Sequence, residues 1–441
     1  MKRLLSLLLC AVLALFCATT AQAAGVSITL TASEYALHYA FDAGAQDPFV
    51  ILEYTTPAEK GWMMLYSADG HFEGDVSLAY SGAGGKTSVA LTSARTTGSI
   101  GKASTTLPKA ADYQKPTGKS NAKVTDFVLT ETPEGFHYAF NAAGTDYMLL
   151  YWRSKEQTVT QPVYPDENGH YEGDVISDLT FARTQFTVQV KSGSGSMKKE
   201  ATVRKGYQAP EAPQRQEGRL SGVTVCIDAG HQENGRFVNE PIGPGLTGST
   251  SGKGGMAQGT KTNRRESIVC LEIGMLLRDE LLRQGANVVM TREDQTTFHT
   301  NIERCEIAEA GGAQIMLRLH CNNSSNRSKR GIQVYGPLNS DYAKAVADAD
   351  TYREMGQKLL DAMKTCVGMT LANSTGMVRL NDNYVGNNWA KMMCFLVEMG
   401  YLSNPAEEYL LVTPVYQQWL AEGMADGVYE IAVARGWVQA Q

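Results

Sequence analysis

Past its first 25 residues the sequence has no long apolar run, no C-x-x-C pair, no H-E-x-x-H motif and no surplus of basic charge. Each absence removes a class. A helix needs roughly 20 apolar residues to span a bilayer, so no transmembrane segment is expected in the mature chain. Without closely spaced cysteine pairs, a structural zinc–thiolate site is not expected. Without H-E-x-x-H, two metal-binding histidines cannot sit one turn apart on a zinc-protease helix. The formal net charge is −6, which argues against a nucleic-acid partner, because that partner requires a basic face.

The one apolar run that is present, in "MKRLLSLLLCAVLALFCATTAQAAG", has the parts of a signal peptide. It has a basic start, an apolar core and Ala21-Gln22-Ala23 as a small-residue cleavage triplet. Residues 1–23 are therefore expected to be a leader and the protein to be exported, secreted or associated with the cell wall. Cys17 follows Phe16, where a lipidation site would need a small residue. Lys2 and Arg3 are the leader's only charges, so its removal takes the net charge from −6 to −8. The six remaining cysteines (Cys226, Cys270, Cys305, Cys321, Cys366 and Cys394) all lie beyond residue 220. Four of them sit inside apolar strand or helix patterns, and buried free thiols are the expectation.

The first half of the chain repeats itself. "LHYAF" at 37–41 returns as "FHYAF" at 136–140, and "GHFEGDVS" at 70–77 returns as "GHYEGDVI" at 169–176. An offset of 99 residues relates both pairs and also carries "SVAL" at 88–91 onto "TVQV" at 187–190. Both copies are followed by a Tyr-Gln-x-Pro element, at Tyr113–Pro116 and Tyr207–Pro210. Each copy is a series of short alternating segments punctuated by Gly, Asp and Asn, with no helical period. Residues 25–106 and 124–204 are thus expected to be two tandem all-β, sandwich-like repeats of immunoglobulin-like architecture. Their paired histidines, His38 with His71 and His137 with His170, suggest metal but are read as matching structural points of a strand and a turn. Tyr151 and Trp152 are assigned to core packing rather than to stacking on sugar.

Residues 205–219, "KGYQAPEAPQRQEGR", have the polar, Pro-rich composition of a linker. After it, apolar strands alternate with helical stretches, and 220–441 is expected to be an α/β domain, a twisted sheet flanked by helices. "ESIVCLEIGMLLRDELLRQG" is its first helix, with Val269, Ile273, Leu276, Leu277 and Leu281 on one face and Gly285 as the stop.

Three of its strands end alike. "VTVCIDAG" delivers His231, "IMLRLH" delivers His320 and "MCFLVE" delivers Glu398. In open α/β sheets, ligands and chemistry collect at the carboxyl ends of the strands. Glu266 opens the helix that follows the first strand and belongs near the same edge. Two imidazoles and a carboxylate make a familiar catalytic zinc set with a fourth position left for water, and a spare carboxylate can take that water's proton. Taken singly, each residue has a plainer explanation. Glu266 could favour a helix N-terminus, Glu398 could pair with a buried arginine, and His320 could be a satisfied core residue.

The segments "CIDAGHQ", "NRRESIVCLEIGMLLRDELLRQGANVVMTRE", "RLHCN" and "LVEMGYLSNPAEE" together resemble the zinc-dependent N-acetylmuramoyl-L-alanine amidases over residues of about 220 to 436. The resemblance implies a bacterial wall hydrolase with peptidoglycan as its partner, and the chain is expected to be a monomer. It would hold one Zn2+ per chain on His231, Glu266 and His320, with Glu398 as the catalytic carboxylate. It also implies a structural place for Arg304 and a position near the site for Asn322. Ala229 stands where the family often has Pro. Some members carry an autoinhibitory helix, and no extra helix is expected here near Gly336 to Asp350. The Gly-rich stretch between His231 and Glu266 reads either as a mobile surface loop or as a rim over a substrate groove. The reaction implied is hydrolysis of the amide between N-acetylmuramic acid and L-alanine, with no acyl-enzyme. The β repeats are candidate binders of another wall polymer. The alternatives are a zinc carboxypeptidase acting on stem peptides, and a wall-binding protein with an inactive hydrolase domain.

Overall fold

The computed structural model describes residues 18–21, 25–34, 36–57, 60–78, 81–96, 98–111, 122–132, 135–145, 147–154, 158–176, 184–192, 196–205, 210–232, 238–250, 255–367 and 377–440. The chain divides into two compact units, residues 1–117 and 118–441. Both Tyr-Gln-x-Pro elements, apart from Pro210, and most of the leader lie outside the described residues.

The first unit carries β1 (Ala18–Ala21), β2 (Ile28–Ala32), β3 (Ala36–Asp42), β4 (Phe49–Thr55), β5 (Lys60–Tyr66), β6 (His71–Ser77), β7 (Gly85–Ser93) and β8 (Ser99–Leu107). They form two antiparallel sheets, β1-β2-β3-β6 and β5-β4-β7-β8. Alternation sends Leu37, Tyr39 and Phe41 of one sheet and Val50, Leu52, Val89 and Leu91 of the other into a single core. The strand β1 falls within the segment read as a leader and pairs with β2. The sequence reading placed no strand there.

The second copy, within the second unit, repeats this plan. It has β9 (Val124–Thr132), β10 (Gly135–Ala142), β11 (Met148–Arg153), β12 (Thr158–Val163), β13 (His170–Ile176), β14 (Thr184–Ser192) and β15 (Met197–Lys205), in sheets β13-β10-β9 and β12-β11-β14-β15. Trp152 is buried and meets Phe136 and Phe186 edge-on, as core packing requires. Gly74 and Gly173 recur for a reason that can be measured. A Cβ on either would lie 2.8 Å or less from the hydroxyl of the tyrosine facing it, Tyr39 or Tyr138.

The segment read as a linker is tied down from Pro210 onward. The Gln216 and Leu220 amides donate to the Leu282 and Gln284 carbonyls, and Arg278 reaches the Pro210 carbonyl. These bonds fasten the stretch to carbonyls at the end of a helix, and composition alone does not reveal this.

The α/β domain follows. Its elements are β16 (Thr224–Ala229), α1 (Glu266–Arg283), β17 (Asn287–Met290), α2 (Asn301–Ala310), β18 (Ile315–Asn322), β19 (Gln333–Gly336), α3 (Asp341–Val346), α4 (Ala349–Val367), β20 (Met377–Leu380), α5 (Val385–Trp389), β21 (Met393–Tyr401), α6 (Glu407–Leu411) and α7 (Pro414–Ala434). The six strands lie in the order β17-β16-β18-β21-β19-β20. All the pairings are parallel except β19 with β21. Ile227, Ala229 and Leu319 face Gly274 of α1. Cys226, Met316 and Cys394 face the other way, against Cys305 and Ala308 of α2. The helix α1 is buried nearly all round, not only on the expected face, and Gly285 stops it at φ +94°. The short helix α3 occupies the stretch where no extra helix was expected. Its six residues are too few to show a period, and Ser340 caps it by accepting from the Ala343 amide. The six cysteines beyond residue 220 are free thiols, five of them buried. Among the described residues no helix is long and apolar enough to cross a membrane.

The helices α4 and α7 approach through glycines. A Cβ on Gly427 would lie 2.6 Å from Leu359 Cδ1 and 2.9 Å from Leu359 Cα, and one on Gly423 would lie 2.7 Å from Met363 Cα. Gly427→Ala should therefore destabilise the domain by about 1–3 kcal/mol through overpacking, despite the gain of roughly 1 kcal/mol in helix propensity. Calorimetry should show a lower transition temperature. An unchanged or higher one would mean the two helices have room to spare.

Candidate active site

The carboxyl ends of β16, β18 and β21 lie side by side, and parallel register puts His320 directly beside Glu398. His231 follows β16 after Gly230, at φ +58°. Gly230 is required by a close approach, because a Cβ there would fall 2.6–2.7 Å from the His320 ring. Glu266 is the first residue of α1 and is almost fully buried. The four residues singled out from the sequence are thus gathered at one edge.

Glu266 sits at the centre. Its Oε2 lies 3.1 Å from His231 Nε2 and accepts from the Ala257 amide at 2.8 Å. Its Oε1 lies 3.0 Å from His320 Nδ1 and accepts from the Cys321 amide at 3.0 Å. Burial by itself would raise this carboxyl's pKa, but the two imidazoles outweigh it and hold the group well below the usual carboxylate range. Burial lowers the pKa of His320, favouring the neutral imidazole that can ligate a metal. One ligand atom from each of His231, Glu266 and His320 can be chosen so that all three lie within 4.8 Å of one another.

Glu398 is set apart electrostatically. Burial, followed by the charge of Glu266, pushes its carboxyl well above the usual range. No described residue donates to its buried Oε2. A buried polar atom without a partner needs an explanation, and a carboxyl oxygen kept for a reacting molecule provides one. This bears on whether the donor set suits a metal. Two imidazoles and a carboxylate are borderline donors of the zinc kind, and a free carboxyl oxygen waits at the neighbouring strand end, so the residues fit such an ion.

Several residues that hold the site were not identified from the sequence. Asp228 is fully buried and pairs with Arg304 and, at 2.9 Å, with Arg318, while Thr291 Oγ1 donates to it at 2.7 Å. Burial would raise its pKa, but the two guanidinium groups hold it far below the ordinary range. Arg304 also donates to the carbonyls of Ala229 and His231 and to the Gln232 side chain, so it clamps the turn that presents His231. The structural place expected for Arg304 is therefore a specific one. Arg292 donates to the carbonyls of Ala229, Gly230 and Ser267, which joins the end of β16 to the start of α1. Burial brings its pKa down to about 10, leaving it charged at neutral pH. The available signal was a charged residue inside each of two apolar strands, Asp228 in "CIDAG" and Arg318 in "IMLRLH", since buried charges require partners. The buried Arg304 and Arg318 pair with Asp228, and no ion pair is seen at Glu398 among the described residues.

The stretch between His231 and Glu266 is anchored at both of its described ends. Glu240 accepts from the Asn301 and Ile302 amides at the N-terminus of α2, and Trp389 Nε1 donates to the Pro241 carbonyl. Glu408 accepts from the Lys261 and Thr262 amides. Residues 233–237 and 251–254 lie outside the described residues. On the far side of Glu398, Gln333 accepts from Asn322 Nδ2 and from the Tyr335 hydroxyl, and Tyr335 leans on Tyr384 with ring centroids 5.1 Å apart. Asn322 thus lies beside the site. The thiol of Cys321 is buried against Cys270, and burial keeps it protonated, so it is no nucleophile.

The sequence profile of the N-acetylmuramoyl-L-alanine amidase family matches residues 225–430, which excludes both β repeats. The "Germination-specific N-acetylmuramoyl-L-alanine amidase" of Bacillus subtilis is 26% identical over 231 residues, spanning 49% of this chain and 83% of its own. The Staphylococcus aureus protein named "Probable cell wall amidase LytH" is 27% identical over 218 residues, spanning 48% of this chain and 60% of its own. A solved N-acetylmuramoyl-L-alanine amidase from Clostridium difficile 630 is 24% identical with a TM-score of 0.38, spanning 48% of this chain and 96% of its own.

Asp228→Asn leaves two buried guanidinium groups without a counter-charge. It should destabilise the domain by about 3–5 kcal/mol, against about 1 kcal/mol for Thr291→Val, which removes one neutral donor. Urea unfolding measures both. Equal losses would show that the charge of Asp228 is not what holds Arg304 and Arg318.

Proposed function

We propose that the protein is exported and hydrolyses the amide between N-acetylmuramic acid and L-alanine in peptidoglycan, a reading supported by the match of residues 225–430 to the N-acetylmuramoyl-L-alanine amidase family. The observation that carries this reading is the set His231, Glu266 and His320, with ligand atoms within 4.8 Å of one another, beside the buried and unpartnered oxygen of Glu398. We assign His231, Glu266 and His320 to one tightly held zinc ion and Glu398 to proton transfer. When bound there, zinc supplies Lewis-acid polarisation of the scissile carbonyl and lowers the pKa of a water in its open position to about 7.

The chain's own residues do the rest. Arg304 and Arg292 fix the turn that carries His231, and Glu266 takes its place from the Ala257 and Cys321 amides. Glu398, made more basic by burial, takes a proton as water attacks the lactyl carbonyl. As the C–N bond breaks, it returns that proton to the departing amine of L-alanine. The products are the lactyl carboxylate on the glycan and a stem peptide with a free alanine amine. No covalent enzyme intermediate is required.

We assign the two N-terminal repeats to binding a wall polymer. Two antiparallel sheets over one core, β1-β2-β3-β6 with β5-β4-β7-β8 in the first repeat and β13-β10-β9 with β12-β11-β14-β15 in the second, support an immunoglobulin-like reading of each. A polymer-bound module raises the local concentration of the hydrolase without altering its chemistry.

Glu398→Gln keeps the shape of the side chain and removes its basicity. The variant should retain one equivalent of zinc after dialysis and lose about 10²–10⁴-fold in kcat on a muramyl peptide. Elemental analysis and steady-state kinetics test the two halves together. A wild-type rate would reassign Glu398, and loss of the zinc would make it a ligand.

A further inference from the structure

Beyond Glu398 the sheet continues through β19 and β20, and their register carries the face of the site outward. Gln333 lies opposite Glu398, and Tyr335 lies opposite both Leu396 of β21 and Arg379 of β20. Val334 and Val378 turn the other way, toward Gly356 of α4. Side chains alternate along a strand, so Gln333, Tyr335 and Arg379 share the face of Glu398. Tyr335 is buried, whereas Arg379 is exposed on the strand that ends the sheet.

The neutral groups on this flank hold one another. The Tyr335 hydroxyl donates to Gln333 Oε1 at 2.6 Å, Asn322 Nδ2 donates to the same oxygen at 3.1 Å, and Tyr384 packs on the Tyr335 ring. They fix a surface without placing a charge on it. The charge comes from Arg379. Burial raises the pKa of the Tyr335 phenol, Glu398 raises it further and the Arg379 guanidinium opposes the rise, so one hydroxyl senses both charges.

The proposed reaction gives this flank a direction. The scissile carbonyl lies toward His231 and His320, at the ends of β16 and β18, and the departing amine lies toward Glu398, at the end of β21. The strand order β16-β18-β21-β19-β20 then sends the peptide that leaves with the amine over β19 and β20. Two residues of extended chain span about 7 Å, and Arg379 stands two strand spacings, about 10 Å, from Glu398 across the sheet. The residue after L-alanine therefore passes over Tyr335, within reach of an arginine side chain. Stem peptides come in two chemical forms at that residue, with its α-carboxyl free or amidated. A free carboxylate arriving there is repelled by the charge of Glu266. A guanidinium on its other side offsets that repulsion and can bond both of its oxygens.

An arginine on an edge strand also has a plainer role, because charge there discourages pairing with another chain. Any charge at position 379 would serve that role, and the substrate would not sense it. We infer that Arg379 is a specificity-determining residue that binds the α-carboxylate of the stem-peptide residue following L-alanine, so that stems with that group free are preferred. The inference rests on the amidase reading of the same site.

The test uses the full-length, zinc-loaded protein and two soluble N-acetylmuramoyl tripeptides that differ only in that α-carboxyl, free in one and amidated in the other. The wild type should favour the free acid in kcat/KM. Arg379→Gln should lose about 10–30-fold on the free acid, mainly through KM, and stay within about twofold on the amide. Arg379→Glu should favour the amide. Equal losses on the two probes, or no loss on either, would overturn the inference and leave Arg379 as an edge charge. Recognition is read apart from turnover by titrating both probes into the Glu398→Gln protein in a calorimeter. A wild type that cuts neither probe at the lactyl amide would contradict the proposed reaction, whereas equal affinities for the two probes would contradict the role of Arg379.

Discussion

One carboxylate and two guanidinium groups, buried together under the ends of two parallel strands, are what the catalytic edge rests on. Asp228 lies in β16 beside Arg318 of β18, and Arg304 reaches it from α2. Buried charges are costly to desolvate, and a site with one partner removed is costlier than no charges at all. The cluster is therefore stable in one arrangement, with strand, strand and helix in fixed relation. Arg304 also donates to the Ala229 and His231 carbonyls, so the fixed relation extends to the turn that carries the first imidazole. His231 tolerates a left-handed backbone because the carbonyls on either side of it are held.

From that edge, the division of labour among the carboxylates follows from their environments. Glu266 and Glu398 are both buried at neighbouring positions. Glu266 faces two imidazoles and two backbone amides and stays ionised, whereas Glu398 faces the charge of Glu266 and has one oxygen with no partner among the described residues. One is thereby suited to ligation and the other to moving a proton. Pairs of titratable groups whose surroundings push their pKa values apart are a recurrent way of assigning such roles.

Much of this was legible in the sequence, and what was not has physical reasons. The strands that end in His231, His320 and Glu398 declared themselves by apolar runs stopping at a polar residue, and Gly285 marked the end of α1. The duplication was plain because His38, Tyr39, Phe41 and Glu73 recur at one spacing. Short elements were missed: α3, α5 and α6 have five or six residues each, fewer than two helical turns, and β20 has four. The antiparallel placement of β19 against β21 depends on tertiary packing that no local pattern encodes. The Asp228 cluster joins residues 63 to 90 positions apart, and only the oddity of a charge in an apolar strand hinted at it. The stretch 210–219 read as a free linker because its composition is polar, yet its Gln216 amide and Pro210 carbonyl bond to α1.

The central claim is that this edge cuts one particular amide, and the products of intact peptidoglycan test it most directly. Purified sacculi digested by the full-length protein should release stem peptides that begin with a free L-alanine amine. The glycan should be left with intact lactyl carboxylates, all read by mass spectrometry. A chelator should stop the release, and added zinc should restore it. Release of terminal amino acids from otherwise attached stems, or product formation indifferent to the chelator, would contradict the account.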